Sequence, residues 1–455
     1  MESPGAAAAL EPAALMRSRQ YRGLLVVAAV IGVVVSVACW GYLELVHYLQ
    51  QGVYVDLPDH LGLSPVPDWW PFPWLLIAGL LIAVAVTYLP GHGGHEPSGG
   101  LSTAEPTHPI DLPGVLVASI ATLGLGLVLG PEAPLLALGS GVALFLISLG
   151  RRELPDQAVM VLSAAGCFAA LATIFGSPII GTVIIIEAAG IGGANLPVVL
   201  LPGLIAAGIG SLCFVGIGSL TGLSTNAYAL PPLHLADYPT PQLTDFLWTI
   251  PLSLAAAVVI AIIVVAAKGT RDVVHRMPLL LYPAAALLVG VIAVAFHAIT
   301  DQPTNAILFS GEDAMSTVAS SAGTLSTATL GWLLVFKALA WAISMGAARG
   351  GPTFPGMFLG LAGGVLASHL PGVAETPAVA VLIGATIVCV LRLPLSALIL
   401  ALAVTQGGTG VAPLIIVGVA TAYLASLVID NRQAKRVSGA HRQETSPTQQ
   451  ATEPT

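Results

Sequence analysis

Charge is what this sequence has least of. Across 455 residues only 8% are Asp, Glu, Lys or Arg, while 56% are hydrophobic. A soluble domain carries roughly 25% charged residues, so this chain has too little polar surface to cover itself in water. A soluble enzyme, a secreted module and a disordered scaffold are excluded. Positive charge is scarcer still, with 15 Lys and Arg against 23 Asp and Glu. That balance excludes nucleic acid as a partner, because neutralising phosphates needs clustered cations. Cysteine is equally sparse: Cys39, Cys167, Cys213 and Cys389 lie far apart inside apolar runs and lack the spacing of a metal site. They read as small buried hydrophobes. His92, His95 and His108 stand near Glu96 at irregular spacing, so no metal is expected. Neither an ATP-binding motif nor a cofactor fingerprint is visible, and no cofactor is expected.

What the chain has instead is long apolar runs interrupted by 50 Gly and 34 Pro. Membrane helices tolerate both, through close backbone packing and through broken helices that line cavities. The run from Leu24 to about Leu49 follows Arg17, Arg19 and Arg22 and is too long for a signal-peptide core. It reads as a retained membrane span. Further runs cover 74–89, 114–129, 132–149, 157–175, 178–189 and 196–217, then 246–267, 278–298, 328–347, 355–369, 377–391, 394–405 and 411–429. Some approach the ~20 residues that cross a bilayer and others are much shorter, the mark of helices that enter the membrane without crossing it. The expected fold is an all-α polytopic membrane protein with broken and re-entrant helices. Its expected parts are an N-terminal tail (1–20), a first membrane half (21–218), a connecting loop (219–245), a second membrane half (246–430) and a disordered polar tail (431–455).

The cations fall into clusters: Arg17/Arg19/Arg22, Arg151/Arg152, Lys268/Arg271/Arg276 and Arg432/Lys435/Arg436/Arg442. By the positive-inside rule all four belong to the cytoplasmic face of the cell membrane, with both termini inside. The segment 53–74 has Asp56, Asp59, Asp68, three tryptophans and no Lys or Arg, and reads as an external loop with interfacial aromatics.

The two halves repeat faintly. Residues 124–143 read GLGLVLGPEAPLLALGSGVA and 346–366 read GAARGGPTFPGMFLGLAGGVL. Each has a Gly-rich entry, a Gly–Pro break, a second Pro and a small-residue helix. About 35 residues later each half continues with a small-residue helix and a Pro-led apolar one, in 164–187 and 383–404. Paired breaks in corresponding halves point to a transport site near the membrane midplane.

Glu132, in Gly130-Pro131-Glu132-Ala133-Pro134, is the residue most suited to function. The plain alternative is a carboxylate stabilised by a helix dipole with no further role. A carboxylate at membrane depth is costly, which favours function. Free N–H groups at a helix start form an anion site. A swinging carboxylate can fill that site or yield it, acting as gate and as proton acceptor. The second break, Arg349-Gly350-Gly351-Pro352-Thr353-Phe354-Pro355, can aim another set of amides at the same point. Lys337 lies in an apolar helix, where it either lends positive potential to an anion path or pairs with a buried carboxylate such as Glu187. Arg349 and Arg392 divide between pathway and helix-end roles.

These motifs resemble those of the chloride-channel (CLC) family. Gly-Pro-Glu-Ala-Pro is similar to its G-x-E-G-P signature and Gly-Gly-Pro-Thr-Phe-Pro to its G-G-x-F-x-P signature. The segments ending at Glu187 and Ala403 resemble the helices that follow each. The likeness runs from about residue 21 to 430 and is nearest a bacterial branch described as CLC-type ion-transport proteins. It implies an inverted repeat, a homodimer in the lipid bilayer, and one pathway per subunit for an inorganic anion, with chloride first. It also implies that Glu132 is the gating glutamate and that the anion-binding groups come from Gly130, Ala133, Thr353 and Phe354. The family's inner serine corresponds only loosely to Ser98, in Pro97-Ser98-Gly99-Gly100-Leu101. Its second-signature phenylalanine is displaced by one position, Pro352 has no N–H to donate, and no tyrosine stands near Ala434. The family's proton-relay glutamate follows another glutamate, whereas here Ala188 follows Glu187. The expectation is therefore a channel-like or weakly proton-coupled path. The alternatives are an H+/anion exchanger or fluoride transporter of the same fold, an organic-anion transporter of another fold and, more distantly, an intramembrane hydrolase using Ser140 and His297.

The charge pattern predicts an orientation. Cysteines introduced near Ser446 and Arg271 should resist impermeant thiol reagents in intact cells, while one near Asp59 should react. Labelling at Ser446 but not at Asp59 inverts the topology.

Overall fold

The computed structural model describes residues 16–100, 106–150, 154–190, 192–193, 196–221, 232–233, 235–321 and 325–444. Arg151 and Arg152, most of the N-terminal tail, residues 222–231 of the connecting loop and residues 445–455 lie outside the described residues.

Among the described residues, fifteen α-helices of nine residues or more carry the fold, and most of their ends follow the apolar runs. In the first half they are α1 (Arg19–Gln51), α2 (Pro71–Tyr88), α3 (Leu112–Gly124), α4 (Glu132–Leu149), α5 (Asp156–Ile174), α6 (Pro178–Ala188) and α7 (Leu196–Thr221). In the second they are α8 (Leu243–Val274), α9 (Pro278–Thr300), α10 (Glu312–Ser320), α11 (Thr327–Ala347), α12 (Thr353–Ser368), α13 (Glu375–Leu391), α14 (Pro394–Thr405) and α15 (Val411–Glu444). Among the described residues nine helices are long and apolar enough to cross a membrane. The apolar helices α3, α6, α12, α13 and α14 are shorter. Prolines set many starts, as at Pro71, Pro178, Pro278 and Pro394, where a first-turn residue needs no N–H partner. The polar tail departs from expectation: α15 continues past Asn431 to Glu444 instead of ending there. The short helix α10 has no counterpart among the apolar runs, because its sequence, Glu312–Ser320, is mostly polar and small.

The packing repeats with the sequence. In the first half α5 packs on α4, α6, α7 and α1; in the second α13 packs on α12, α14, α15 and α8 in the same relation. The halves meet where α2 lies on α9, where α6 meets α14, and at the two breaks. Small residues permit the close crossings. Gly139 of α4 and Gly166 of α5 face each other so closely that a Cβ on either would run into the other's carbonyl group. In the second half Gly360 and Gly364 of α12 meet the backbone of Ile383 and Val379 of α13. Between helices in lipid, such backbone approach and its van der Waals contact replace the hydrophobic drive that water would supply.

Candidate functional site

Each half stops one helix and starts the next across a short irregular break. After α3 the chain runs irregularly from Leu125 to Pro131, and after α11 from Ala348 to Pro352. The two breaks lie side by side and are joined by a reciprocal pair of hydrogen bonds. Gly130 N–H donates to the Gly351 carbonyl at 2.7 Å, and Gly351 N–H donates to the Gly130 carbonyl at 2.6 Å. The two glycines open the same five-residue pattern, Gly130-Pro131-Glu132-Ala133-Pro134 and Gly351-Pro352-Thr353-Phe354-Pro355. Pro131 and Pro352 adopt nearly the same backbone angles (φ −85, ψ 1 and φ −93, ψ −3). Each accepts the helix's first i→i+4 bond, from Leu135 and from Gly356. Pro352 therefore mirrors Pro131, and the donors of each break are the two residues between its prolines.

The first N–H groups of a helix have no intrahelical acceptor. At α4 these are Glu132 and Ala133, since Pro134 has none; at α12 they are Thr353 and Phe354, since Pro355 has none. The Glu132 side chain bends into this focus: its Oε1 accepts from Phe354 N–H at 3.1 Å, while Oε2 is buried without a hydrogen-bond partner. The residue is fully buried. Both glycines make room for it, because a Cβ on Gly130 or on Gly351 would collide with the Glu132 carboxylate. Thr353 is buried with its hydroxyl unpartnered, and the Phe354 ring stacks on Phe175 at a centroid distance of 6.0 Å. Gly130 departs from expectation: its N–H is committed to Gly351, so it shapes the site and does not donate to a ligand.

Two cavities adjoin the chain neighbours of Glu132. One, of about 450 Å³, is lined by Gln50 and Tyr54 at the far end of α1 and its extension, by Leu129 and Pro131, and by Phe309 and Glu312. The other, of about 1030 Å³, is lined by His95, His108 and Ser140, by Ala133 and Pro134, and by Arg349 and Gly350. The first reaches the residue before Glu132 and the second the residue after it. The second lies on the side of two basic clusters. Tyr21, near Arg19 and Arg22, bonds the carbonyl of Val198 in its wall, and Glu96, next to His95, pairs with Arg271.

The remaining charges are placed as follows. Lys337 is fully buried and does not pair with Glu187. Its ammonium donates to the carbonyls of Ala306, Ile307, Leu308 and Phe309 at 2.9–3.3 Å, behind the wall of the smaller cavity. Glu187 is a helix cap and lends no charge to Lys337. Its carboxylate accepts from the N–H groups of Leu395 and Ser396 and from the Ser396 hydroxyl, tying α6 to the start of α14. Arg349 is buried, with its guanidinium 3.8 Å from Glu96 and beside the Tyr282 hydroxyl at 3.5 Å. Arg392 pairs with Asp430 at 2.8 Å, an end-of-helix role. Ser98 is buried with an unpartnered hydroxyl, in the turn after Glu96. Among the described residues no group of His, Cys, Asp and Glu is arranged to hold a metal. The hydrolase reading fails on geometry. Ser140 donates within α4 and accepts from Thr107 N–H, at the larger cavity. His297 instead faces Asp68 and the Gln302 carbonyl, beside the smaller one. Sequence reasoning named Gly351 only as part of its break and Glu96 only beside the histidines, and it passed over Glu312, because their partners are not evident until the breaks and cavities are assembled.

The fit between Glu132 and Gly351 predicts a coupling that is independent of transport. Gly351→Ala should lower stability by about 1–3 kcal/mol through overpacking. In a Glu132→Ala background, where the carboxylate is gone, most of that loss should disappear. Thermal melts of the four proteins in detergent measure it; strictly additive shifts would contradict the packing.

Comparison with known proteins agrees with this geometry. The model of the family described as voltage gated chloride channel matches residues 74–427. The protein named "Putative ion-transport protein YfeO" of Salmonella choleraesuis is 27% identical over 427 residues, covering 90% of this chain and 95% of its own. The protein of the same name from Escherichia coli (strain SMS-3-5) is 28% identical over 369 residues, covering 78% and 82%. Among solved structures, a slow cyanobacterial Cl−/H+ antiporter superposes with a TM-score of 0.72 at 20% identity, over 89% of this chain and 94% of its own. A CLC-type fluoride/proton antiporter superposes with a TM-score of 0.63 at 19% identity, over 89% and 95%. These relatives are membrane transport proteins and not enzymes. With nine membrane-capable helices, paired helix breaks and a family match across most of its length, this multi-pass membrane protein belongs to the voltage-gated chloride channel (CLC) family.

Proposed function

We propose that the chain carries an inorganic anion, chloride first, through a path gated by Glu132, with channel-like or weakly proton-coupled flux. One observation carries the reading. The Glu132 carboxylate occupies the Phe354 amide where two helix N-termini converge, and its two chain neighbours, Pro131 and Ala133, each line a different cavity. A permeating anion needs the same donors, so carboxylate and anion compete for one place. Ala133, Thr353 and Phe354 supply the amides, aided by the positive ends of α4 and α12. Ser98, buried with an unpartnered hydroxyl three residues after His95 of the larger cavity's wall, stands as the candidate polar group near the inner approach. The cavity beside the basic clusters is the cytoplasmic one in this reading, with both termini inside and the protein in the cell membrane.

Weak proton coupling rests on Ala188, which follows the capping Glu187 and offers no second carboxylate. A coupled exchanger is the second reading, favoured by the antiporter neighbours of both kinds, chloride and fluoride. One reconstituted-vesicle experiment separates them, following anion efflux and internal pH together. Glu132→Gln keeps the size of the side chain and removes its charge, so anion flux should rise and lose most of its pH dependence. Wild-type flux should proceed with little obligatory proton movement. Stoichiometric uphill proton transport driven by a chloride or fluoride gradient selects the exchanger, and an unchanged Glu132→Gln protein removes the gate.

The subunit is further proposed to form a homodimer with two separate pathways. Mass measurement in detergent under transport-preserving conditions should give two copies; a monomer alone contradicts it.

A further inference from the structure

The smaller cavity holds a second carboxylate, for which the gate as described has no use. Glu312 opens α10 in the same cavity wall that contains Pro131, the residue before Glu132. Its place is built from behind. The Lys337 ammonium gathers the carbonyls of 306–309, immediately upstream. Phe309 then turns at φ 60, and Gly311 at φ 89, where a Cβ would strike the Phe358 ring. That same ring lies 4.8 Å from the Lys337 ammonium. An ammonium clasp and an aromatic platform thus fix the loop that delivers Glu312, whose own N–H donates to the Ser310 hydroxyl at 3.3 Å.

The groups facing Glu312 are few. Asp313 is its neighbour in α10, His47 comes from α1, and Glu132 lies beyond Pro131. The charge of Lys337 is taken up by four carbonyls, and α12, packed against α10, has no charged residue. The other polar groups of the lining, such as Gln50, Tyr54, Gln302 and Asn305, are neutral. Burial, then the carboxylates of Asp313 and Glu132, hold the Glu312 carboxyl well above the usual carboxylate range. A second observation bears on the gate: Glu132 Oε2 is buried without a hydrogen-bond partner, on the residue that follows Pro131 of this cavity's wall.

We propose that Glu312 is a second gating carboxylate, which repels anions from the approach to Glu132 when ionised and admits them when protonated. The inference rests on the anion-transport reading and adds a control point to it. Two like charges about 10 Å apart at an effective dielectric of about 20 change occupancy on the order of tenfold.

The test is chloride and fluoride efflux from vesicles held at equal pH on both sides, from pH 5 to 8. Glu312→Gln should raise flux at pH 8 by about tenfold and flatten its rise towards acid pH, whereas Glu312→Asp should keep the wild-type profile. A second variant works on the folded protein. In Glu312→Cys, a negatively charged methanethiosulfonate should restore low flux at pH 8 and a positively charged one should raise it further, with wild type treated alike as control. If wild type transports and both Glu312→Gln and modified Glu312→Cys follow its pH profile, the second gate is overturned. If wild type carries neither anion, the transport reading itself falls and takes this inference with it.

Discussion

The structure turns on two hydrogen bonds between glycines. Gly130 and Gly351 exchange N–H and carbonyl across the junction of the halves, and everything at the site takes its position from that exchange. Irregular backbone at membrane depth must find its partners within the protein. Here each break satisfies the other, so neither can move independently. The pairing also places the starts of α4 and α12 against one another, with prolines at equivalent positions removing one donor from each. What remains is a small set of amides facing a single point. Two glycines are required because any Cβ there would take the space of the Glu132 carboxylate.

Charges in the bundle, buried or half-buried, follow the same economy of partners. A charge at membrane depth is tolerated only with compensation, and the molecule supplies a different kind to each. Lys337 has backbone carbonyls, Glu187 has the amides and hydroxyl at the start of α14, Arg349 has Glu96 and the Tyr282 hydroxyl, and Arg392 has Asp430. Among the carboxylates Glu132 stands apart from Glu187, with one oxygen bonded and the other without a partner; Arg349 Nε and Arg392 Nη1 are likewise left unpartnered. A structural carboxylate would be satisfied at both oxygens, as Glu187 is. Half-satisfied binding at an anion focus suits a group that must leave and return.

Helix existence and most boundaries were legible because long apolar runs and Pro-led starts carry local signals. Pro178–Ala188 and Pro394–Thr405, for example, begin where their prolines predict. The candidacy of Glu132 was legible for the same reason, as a carboxylate between apolar runs is conspicuous on energetic grounds alone. Partner choice was not legible. A pairing of Lys337 with Glu187 was one of two readings, yet both meet mainly backbone groups, which occur at every residue and leave no mark in the sequence. Gly130 looked like a donor until its N–H was found committed to a glycine 221 positions away. The polar helix α10 was passed over because apolar periodicity is absent from it.

The sequence by itself determined that this is a polytopic membrane protein of two related halves, each with a Gly–Pro break, and that one break bears a carboxylate. Low charge, apolar run length and turn chemistry are local properties, so they survive without coordinates. Only the tertiary structure decided that the breaks bond to each other, that the carboxylate takes the amide of the opposite half, and that its two chain neighbours line different cavities. Those are relations between residues far apart in the chain. They depend on how helices pack, and no local pattern of side chains encodes which distant backbone group a given N–H will meet.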